Sequence, residues 1–173
     1  MALAQDFVEV DSSQHDLKTF DCGKPVMNQF LAKYATQNMR AGVSRTWVLT
    51  DPAANDPPSK AKIAAYFTLA SNMVKREEIP TEKTLPSYPL PVVLLARLAV
   101  DQQYQGQGLG EKTLITALRK SVELTSSGLP AIGLILDVLD EDALSFYDKY
   151  KMFSPFTDDP MRLYVPMSAI KNV

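Results

Sequence analysis

Hydrophobic residues in this chain follow two rhythms, and together they predict a mixed α/β domain. Across residues 24–39, Met27, Phe30, Leu31 and Tyr34 recur at i, i+3, i+4 and i+7, the spacing of one helix face. Pro25 suits the first turn of that helix and Gly42 a stop just beyond it. Residues 46–50 (TWVLT) and 62–71 (KIAAYFTLAS) read as strands, and the bend-rich stretch DPAANDPPSK between them favours a β-hairpin. From 75 to 91 the chain is polar and carries Pro80, Pro86, Pro89 and Pro91, which excludes one long helix. Residues 92–101 (VVLLARLAVD) form a nearly continuous apolar run, the pattern of a central strand buried on both faces. Within 111–124, Leu114, Leu118 and Val122 recur every fourth residue beside Ile115, predicting a helix with one buried stripe that Gly128 and Pro130 end. Residues 131–139 read as a second buried strand, 140–150 as a short helix and 161–167 as a final strand. No repeat or long low-complexity linker divides the chain, so residues 1–173 are expected to form a single domain around one sheet.

Composition narrows the function classes. At 46% hydrophobic and 22% charged, the 173 residues can bury a core, which excludes general disorder. Eighteen basic against twenty acidic residues give a formal charge of −2, so any nucleic-acid contact must come from a local patch. Lys33, Arg40 and Arg45 cluster on or after the first helix, Lys75 and Arg76 open the irregular segment, and Lys60 and Lys62 flank the second strand. Such side chains suit phosphate contacts as well as an ordinary solvated surface. Arg97 differs, because a charge within an apolar strand implies a buried carboxylate partner or a substrate contact. A single cysteine, Cys22, cannot form an internal disulfide and reads as a buried small residue. A single histidine, His15, cannot build a His-rich metal site and reads as a solvated residue, so no metal is expected. The apolar run at 91–100 is too short to span a bilayer, and the N-terminus lacks a signal-peptide pattern, so the expected location is cytoplasmic.

Glycine carries the chemistry. Three of only seven glycines, Gly106, Gly108 and Gly110, fall between the apolar strand and the following helix. Glycines allow a tight turn with exposed N–H groups, and the helix behind adds unpaired donors and a partial positive charge. Strand, glycine loop and helix thus form an anion cradle suited to a pyrophosphate. A Walker A loop is excluded because Glu111 and Lys112 stand in the wrong register. The spacing G-x-G-x-G also fails the dinucleotide rule G-x-G-x-x-G.

Gln105, Gly108 and Gly110 instead fit [Gln/Arg]-x-x-Gly-x-[Gly/Ala], which resembles the coenzyme A loop of the GNAT N-acetyltransferases. Downstream, DEDALSFYDKYKMF resembles that family's N-x-x-A-x-x-F-Y-x-x-x-G-F segment, with Ala143, Phe146 and Tyr147 in register. The resemblance implies an α/β (α+β) GNAT fold, a mixed central sheet with splayed strands flanked by helices. It also implies acetyl-CoA as co-substrate. Backbone groups of Leu98, Ala99 and Val100 would hold pantetheine and the thioester. Gln105, Gly106, Gln107, Gly108, Leu109 and Gly110 would bind the pyrophosphate, Asp140 would make a further coenzyme contact, and Tyr147 would act as general acid, with Tyr150 as runner-up. FDCGKPVMNQFL (20–31), TWVL, AAYFTLA, LARLAVD and the terminal PMRLYVP are similar to GNAT toxins of bacterial toxin–antitoxin modules, over 20–166.

That narrower resemblance implies aminoacyl-tRNA as acceptor, with Lys33, Arg40, Arg45, Lys75, Arg76 and Arg97 as candidate tRNA contacts. It further implies a small ribbon-helix-helix antitoxin as partner and a homodimer. Asp140 stands where the family often has Asn. Lys151 stands where Gly usually ends the short helix and would carry strain if its backbone were left-handed, and Met152 replaces the following Phe. Two alternatives stay open: a GNAT for protein N-termini or a small amine, and a non-catalytic module that binds coenzyme A.

Overall fold

The structure, a computed structural model, describes residues 3–52 and 60–173. Residues 53–59 of the proline-rich connection lie outside the described residues. Strands β1 (Val8–Glu9) and β2 (His15–Asp16) precede helix α1 (Pro25–Gln29), a π-helical turn (Phe30–Tyr34) and helix α2 (Ala35–Arg40). Strands β3 (Arg45–Asp51), β4 (Ala61–Val74) and β5 (Leu90–Val100) follow, with a 3₁₀ turn at Arg76–Glu78 and another at Gln102–Tyr104. Helix α3 (Leu109–Ser127), β6 (Gly133–Asp137), α4 (Glu141–Asp148), β7 (Ser154–Pro155), β8 (Arg162–Pro166) and α5 (Met167–Ile170) complete the order. The hydrogen-bonded strand order is β1-β3-β4-β5-β6-β8-β7, with β2 on β4. β2–β4 and β5–β6 pair in parallel, whereas β1–β3, β3–β4, β6–β8 and β7–β8 are antiparallel. The β3–β4 pairing is the expected hairpin. β5 and β6 share only the pairs Val93↔Leu134 and Leu94↔Ile135, the narrow junction expected of splayed strands.

Contacts group the chain into two compact units, Met1–Leu69 with Arg97–Ala117, and Ala70–Ala96 with Leu118–Val173. In the first, Phe20, Phe30, Leu31, Val48 and Ile63 surround Tyr66. The Tyr66 ring lies edge-on to Phe20 at 5.3 Å and stacks with Phe30 at 6.4 Å, while its hydroxyl donates to Met27 O at 2.7 Å. A second cluster packs Leu49, Ala64, Ala65, Tyr104 and Leu109, and the Tyr104 hydroxyl donates to Asp51 Oδ2 at 2.6 Å. In the other unit, Val74, Ile79, Leu90, Val92, Ile135 and Phe156 form the core with Tyr164.

Several expectations need correction. The first helix is not a regular α-helix: the Ala35 N–H bonds to Phe30 O, an i→i+5 link that inserts one residue into the turn. The buried face therefore runs Phe30, Leu31, Ala35, with Met27 packed against it, and Tyr34 is 45% exposed. In α3 the buried stripe is Thr113, Leu114, Ala117, Leu118 and Ser121, so Ile115 and Val122 are only half-buried. Thr113 and Ser121 can occupy that stripe because their hydroxyls donate to the carbonyls of Leu109 and Leu118. β5 is less uniformly buried than its apolar run suggests, since Leu94, Ala96, Arg97, Leu98 and Val100 are half-buried.

His15 is not solvated. It is 5% exposed, and its Nδ1 accepts the Asp11 N–H at 2.9 Å, so the neutral ring carries its proton on Nε2. Lys151 carries no left-handed strain, because no described residue other than glycine has positive φ. Cys22 is buried as expected, and burial pushes its thiol above the ordinary range.

Candidate functional site

The glycine loop is built on the end of β5. After Val100, Asp101 caps the 3₁₀ turn, its Oδ1 accepting the Gln103 N–H at 2.9 Å. The Asp101 side chain is buried, and its other oxygen accepts the Asp21 N–H at 3.0 Å and lies 3.5 Å from Lys62 Nζ. Asp101 is thus a structural cap, as its position after the strand suggests. Gln105 turns its side chain back, donating from Nε2 to Val100 O at 2.9 Å and to Cys22 O at 3.3 Å. Its own N–H donates to Gln102 O at 3.4 Å, so its side chain and its amide both hold the turn.

Gly106 and Gly108 adopt φ of +81° and +77°, a region that L side chains rarely occupy. A Cβ at either position would meet nothing within 4 Å, so these glycines are required by conformation and not by crowding. The amides of Gly106, Gln107 and Gly108 donate to no main-chain acceptor among the described residues. Leu109, 5% exposed, anchors the loop in the core, and Gly110 lies in the first turn of α3 with ordinary φ. Exposed, unpartnered amides beside a helix N-terminus fit a pyrophosphate. Of the β5 residues, Ala99 is buried in the core and Leu98 and Val100 are half-buried.

Tyr147 and Asp140 belong to the second unit. Asp140 is the N-cap of α4: its Oδ1 accepts the Ala143 N–H at 3.0 Å from an extended backbone. This capping role alone accounts for an acidic residue there, since Asp caps as well as Asn. Tyr147 is 7% exposed, edge-on to Phe146 at 5.1 Å and to Phe153 at 5.6 Å. Burial pushes its hydroxyl above the usual phenol range, so it remains protonated at neutral pH. Tyr150 is half-buried and touches the other edge of the pair, 5.5 Å from the Phe146 ring centre.

The candidate cations divide in the same way. Lys33, Arg40 and Arg45 are exposed in the first unit, where Arg45 pairs with Glu9 at 3.3 Å. Lys75 and Arg76 are exposed in the second, where Arg76 donates to Leu85 O at 3.2 Å. Arg97 is half-buried with its guanidinium 4.7 Å from the centre of the Phe30 ring, so an aromatic face takes up part of the charge that the sequence assigned to a carboxylate or substrate. Asp21 and Asn28, which shape the turn beside Gln102 and Gln105, lie in the 20–31 stretch that carries the subgroup resemblance, but no role for either follows from the sequence.

No protein-family model matches the chain. It is 32% identical over 159 residues, 90% of its own length and 89% of the other's, to a tRNA-acetylating toxin of Mycobacterium tuberculosis (strain ATCC 25618 / H37Rv). Among solved structures, a Tyr-to-Phe mutant of KacT superposes with a TM-score of 0.86 at 25% identity, covering 99% of both chains. AtaT complexed with acetyl-methionyl-tRNAfMet gives 0.84 at 27% identity, covering 99% of this chain and 98% of that one. A mutant AtaT toxin bound to the C-terminus of the antitoxin AtaR and acetyl-CoA gives 0.79 at 25%, covering 98% and 96%. Identity of that extent over nine-tenths of the chain, carried on the same fold, makes this chain a member of the GNAT-fold family of tRNA-acetylating toxins.

Proposed function

We propose that this chain transfers the acetyl group of acetyl-CoA to the α-amino group of an aminoacyl-tRNA and thereby stops translation, the whole chain working as one acetyltransferase domain. The observation that carries the reading is the 32% identity to a tRNA-acetylating toxin along 90% of the chain. The loop geometry supports it, since the left-handed Gly106 and Gly108 leave consecutive amides open to a phosphate.

In the reaction, the amine nitrogen bonds to the acetyl carbon as the C–S bond breaks. Amides of residues 106–110 bind the pyrophosphate, and the backbone of Leu98, Ala99 and Val100 holds the pantetheine arm and the thioester carbonyl. Tyr147 gives its hydroxyl proton to the departing thiolate; its burial keeps the phenol protonated at the start of the cycle. The nucleophilic nitrogen loses its proton to water. No Glu stands on β5 to act as base. An α-amino group, with a pKa of about 8 against about 10.4 for lysine, has less need of one.

Lys33, Arg40, Arg45, Lys75, Arg76 and Arg97 are proposed phosphate contacts of the tRNA. AtaT has been solved with an antitoxin segment and acetyl-CoA. By that likeness the partner here is an antitoxin; its ribbon-helix-helix type and a homodimeric working form are proposed from the sequence resemblance to the toxin subgroup alone. Incubating the chain with labelled acetyl-CoA and total aminoacyl-tRNA tests the central claim. Label on the aminoacyl group is expected. Label confined to proteins or free amines would replace tRNA as the acceptor.

A further inference from the structure

The stretch Phe20-Asp21-Cys22-Gly23 has no part in the chemistry above, yet it touches the coenzyme loop at several points. The Gln102 N–H donates to Asp21 O at 2.9 Å, the Asp21 N–H to Asp101 Oδ2 at 3.0 Å, and Gln105 Nε2 to Cys22 O at 3.3 Å. These bonds fasten both ends of the 3₁₀ turn that leads into Gly106. The fit is close: Gly23 has φ of +88°, and a Cβ there would lie 2.7 Å from Gln102 Nε2.

The stretch is itself held from the other side. Asp21 Oδ1 accepts the Gly23 N–H and an Asn28 Nδ2 hydrogen, both at 2.9 Å, and Asn28 Oδ1 accepts the Cys22 N–H at 2.9 Å. Phe20, 3% exposed, packs edge-on to Tyr66 and ties the turn to the core.

We propose that residues 20–23 are a positioning brace for the coenzyme loop: Asp21 and Asn28 fix the shape of the turn, and the turn fixes residues 101–105 so that the amides after them face the pyrophosphate. This rests on the acetyl-CoA reading and extends it to residues that touch neither the donor nor the acceptor. The brace acts on the phosphate end of the donor. Its loss therefore weakens coenzyme A binding without altering the step at the thioester.

Asp21 is exposed, so substituting it leaves the core intact. Asp21→Ala removes the acceptor for two donors, whereas Asp21→Asn keeps an acceptor oxygen at that position. Coenzyme A affinity, measured by titration calorimetry without any acceptor, is expected to fall about five- to tenfold for Asp21→Ala and for Asn28→Ala, and to stay at the wild-type value for Asp21→Asn. With S-acetylpantetheine, a donor lacking the pyrophosphate, kcat/KM is expected to be the same for all four proteins. Coenzyme A binding by Asp21→Ala that matches wild type overturns the brace. An equal loss with S-acetylpantetheine also overturns it, because the defect would then be general. A wild-type chain that binds no coenzyme A overturns the acetyltransferase reading and the brace with it, which separates the two failures.

Discussion

Gly42 and Gly108 offer a matched pair of substitutions. Both have left-handed φ, +74° and +77°, and at both a Cβ would meet nothing within 4 Å. Alanine at either site therefore adds backbone strain of roughly 1–2 kcal/mol with no clash to confuse the reading. In a chain of this length that lowers Tm by about 2–4 °C per kcal/mol, and similarly for the two variants. Their effects on coenzyme A should diverge. Gly42 ends α2, where its N–H bonds to Met39 O at 3.2 Å, and it has no part in the loop. At Gly108 the strain is relieved by rotating the peptide, which turns an amide away from the phosphate. A lost hydrogen bond to a charged group is worth about 1.5–3 kcal/mol, or roughly 10- to 100-fold in Kd. Calorimetric titration with coenzyme A, beside thermal melts of both variants, reads the two effects separately. Gly108→Ala that melts like Gly42→Ala and binds coenzyme A like wild type would refute the claim that left-handed glycine geometry creates the cradle.

Other outcomes follow from the same geometry. Tyr147→Phe removes one hydroxyl from an aromatic cluster; kcat for acetyl transfer should fall on the order of 10²–10⁴-fold with coenzyme A affinity unchanged, and an unchanged kcat would remove Tyr147 from the chemistry. His15 is held below its ordinary pKa mainly by burial, with the Asp11 charge opposing. The unfolded chain therefore binds the proton more readily, and the stability this gives is present above about pH 6.5 and declines as pH falls through the folded value. Because His15 is the only histidine, a single imidazole NMR titration checks this, and a midpoint at or above 6.5 would contradict it. Gly133→Ala would force a Cβ against Val165 O and within 2.6 Å of Tyr164 Cε1, so denaturant unfolding should show a loss of at least about 1–3 kcal/mol.

The fold is legible in the sequence where one residue type decides one conformation. Gly106 and Gly108 are left-handed, Gly42 stops the first helix, and the prolines between 75 and 91 leave room only for the 3₁₀ turn at Arg76–Glu78. It is illegible where distant partners decide. His15 looks solvated among polar neighbours, but pairing of β2 with β4 buries it. Thr113 and Ser121 enter a buried stripe because their own helix satisfies their hydroxyls, which an apolar periodicity cannot register. The Phe30 ring that meets Arg97 lies 67 residues away in the chain, a contact no local pattern announces. The role of Asp21 is illegible for the same reason, since its main chain bonds to Asp101 and Gln102 some eighty residues further on, and Asn28 takes its meaning from holding Asp21 and Cys22.

The π turn in the first helix also records a tolerance to changes of length. An α-helix that gains one residue can absorb it as such a bulge, keeping its flanks in place. Here Met27, Phe30, Leu31 and Ala35 face the core at spacings of three, one and four. Deleting the exposed Lys33 would bring Ala35 one place nearer and restore the i, i+3, i+4, i+7 pattern with the same residues inward. Relatives that differ by one residue at this point can therefore share an identical buried face. Aligned without a gap, they would set Tyr34 against a core alanine and make a conserved contact look like a substitution.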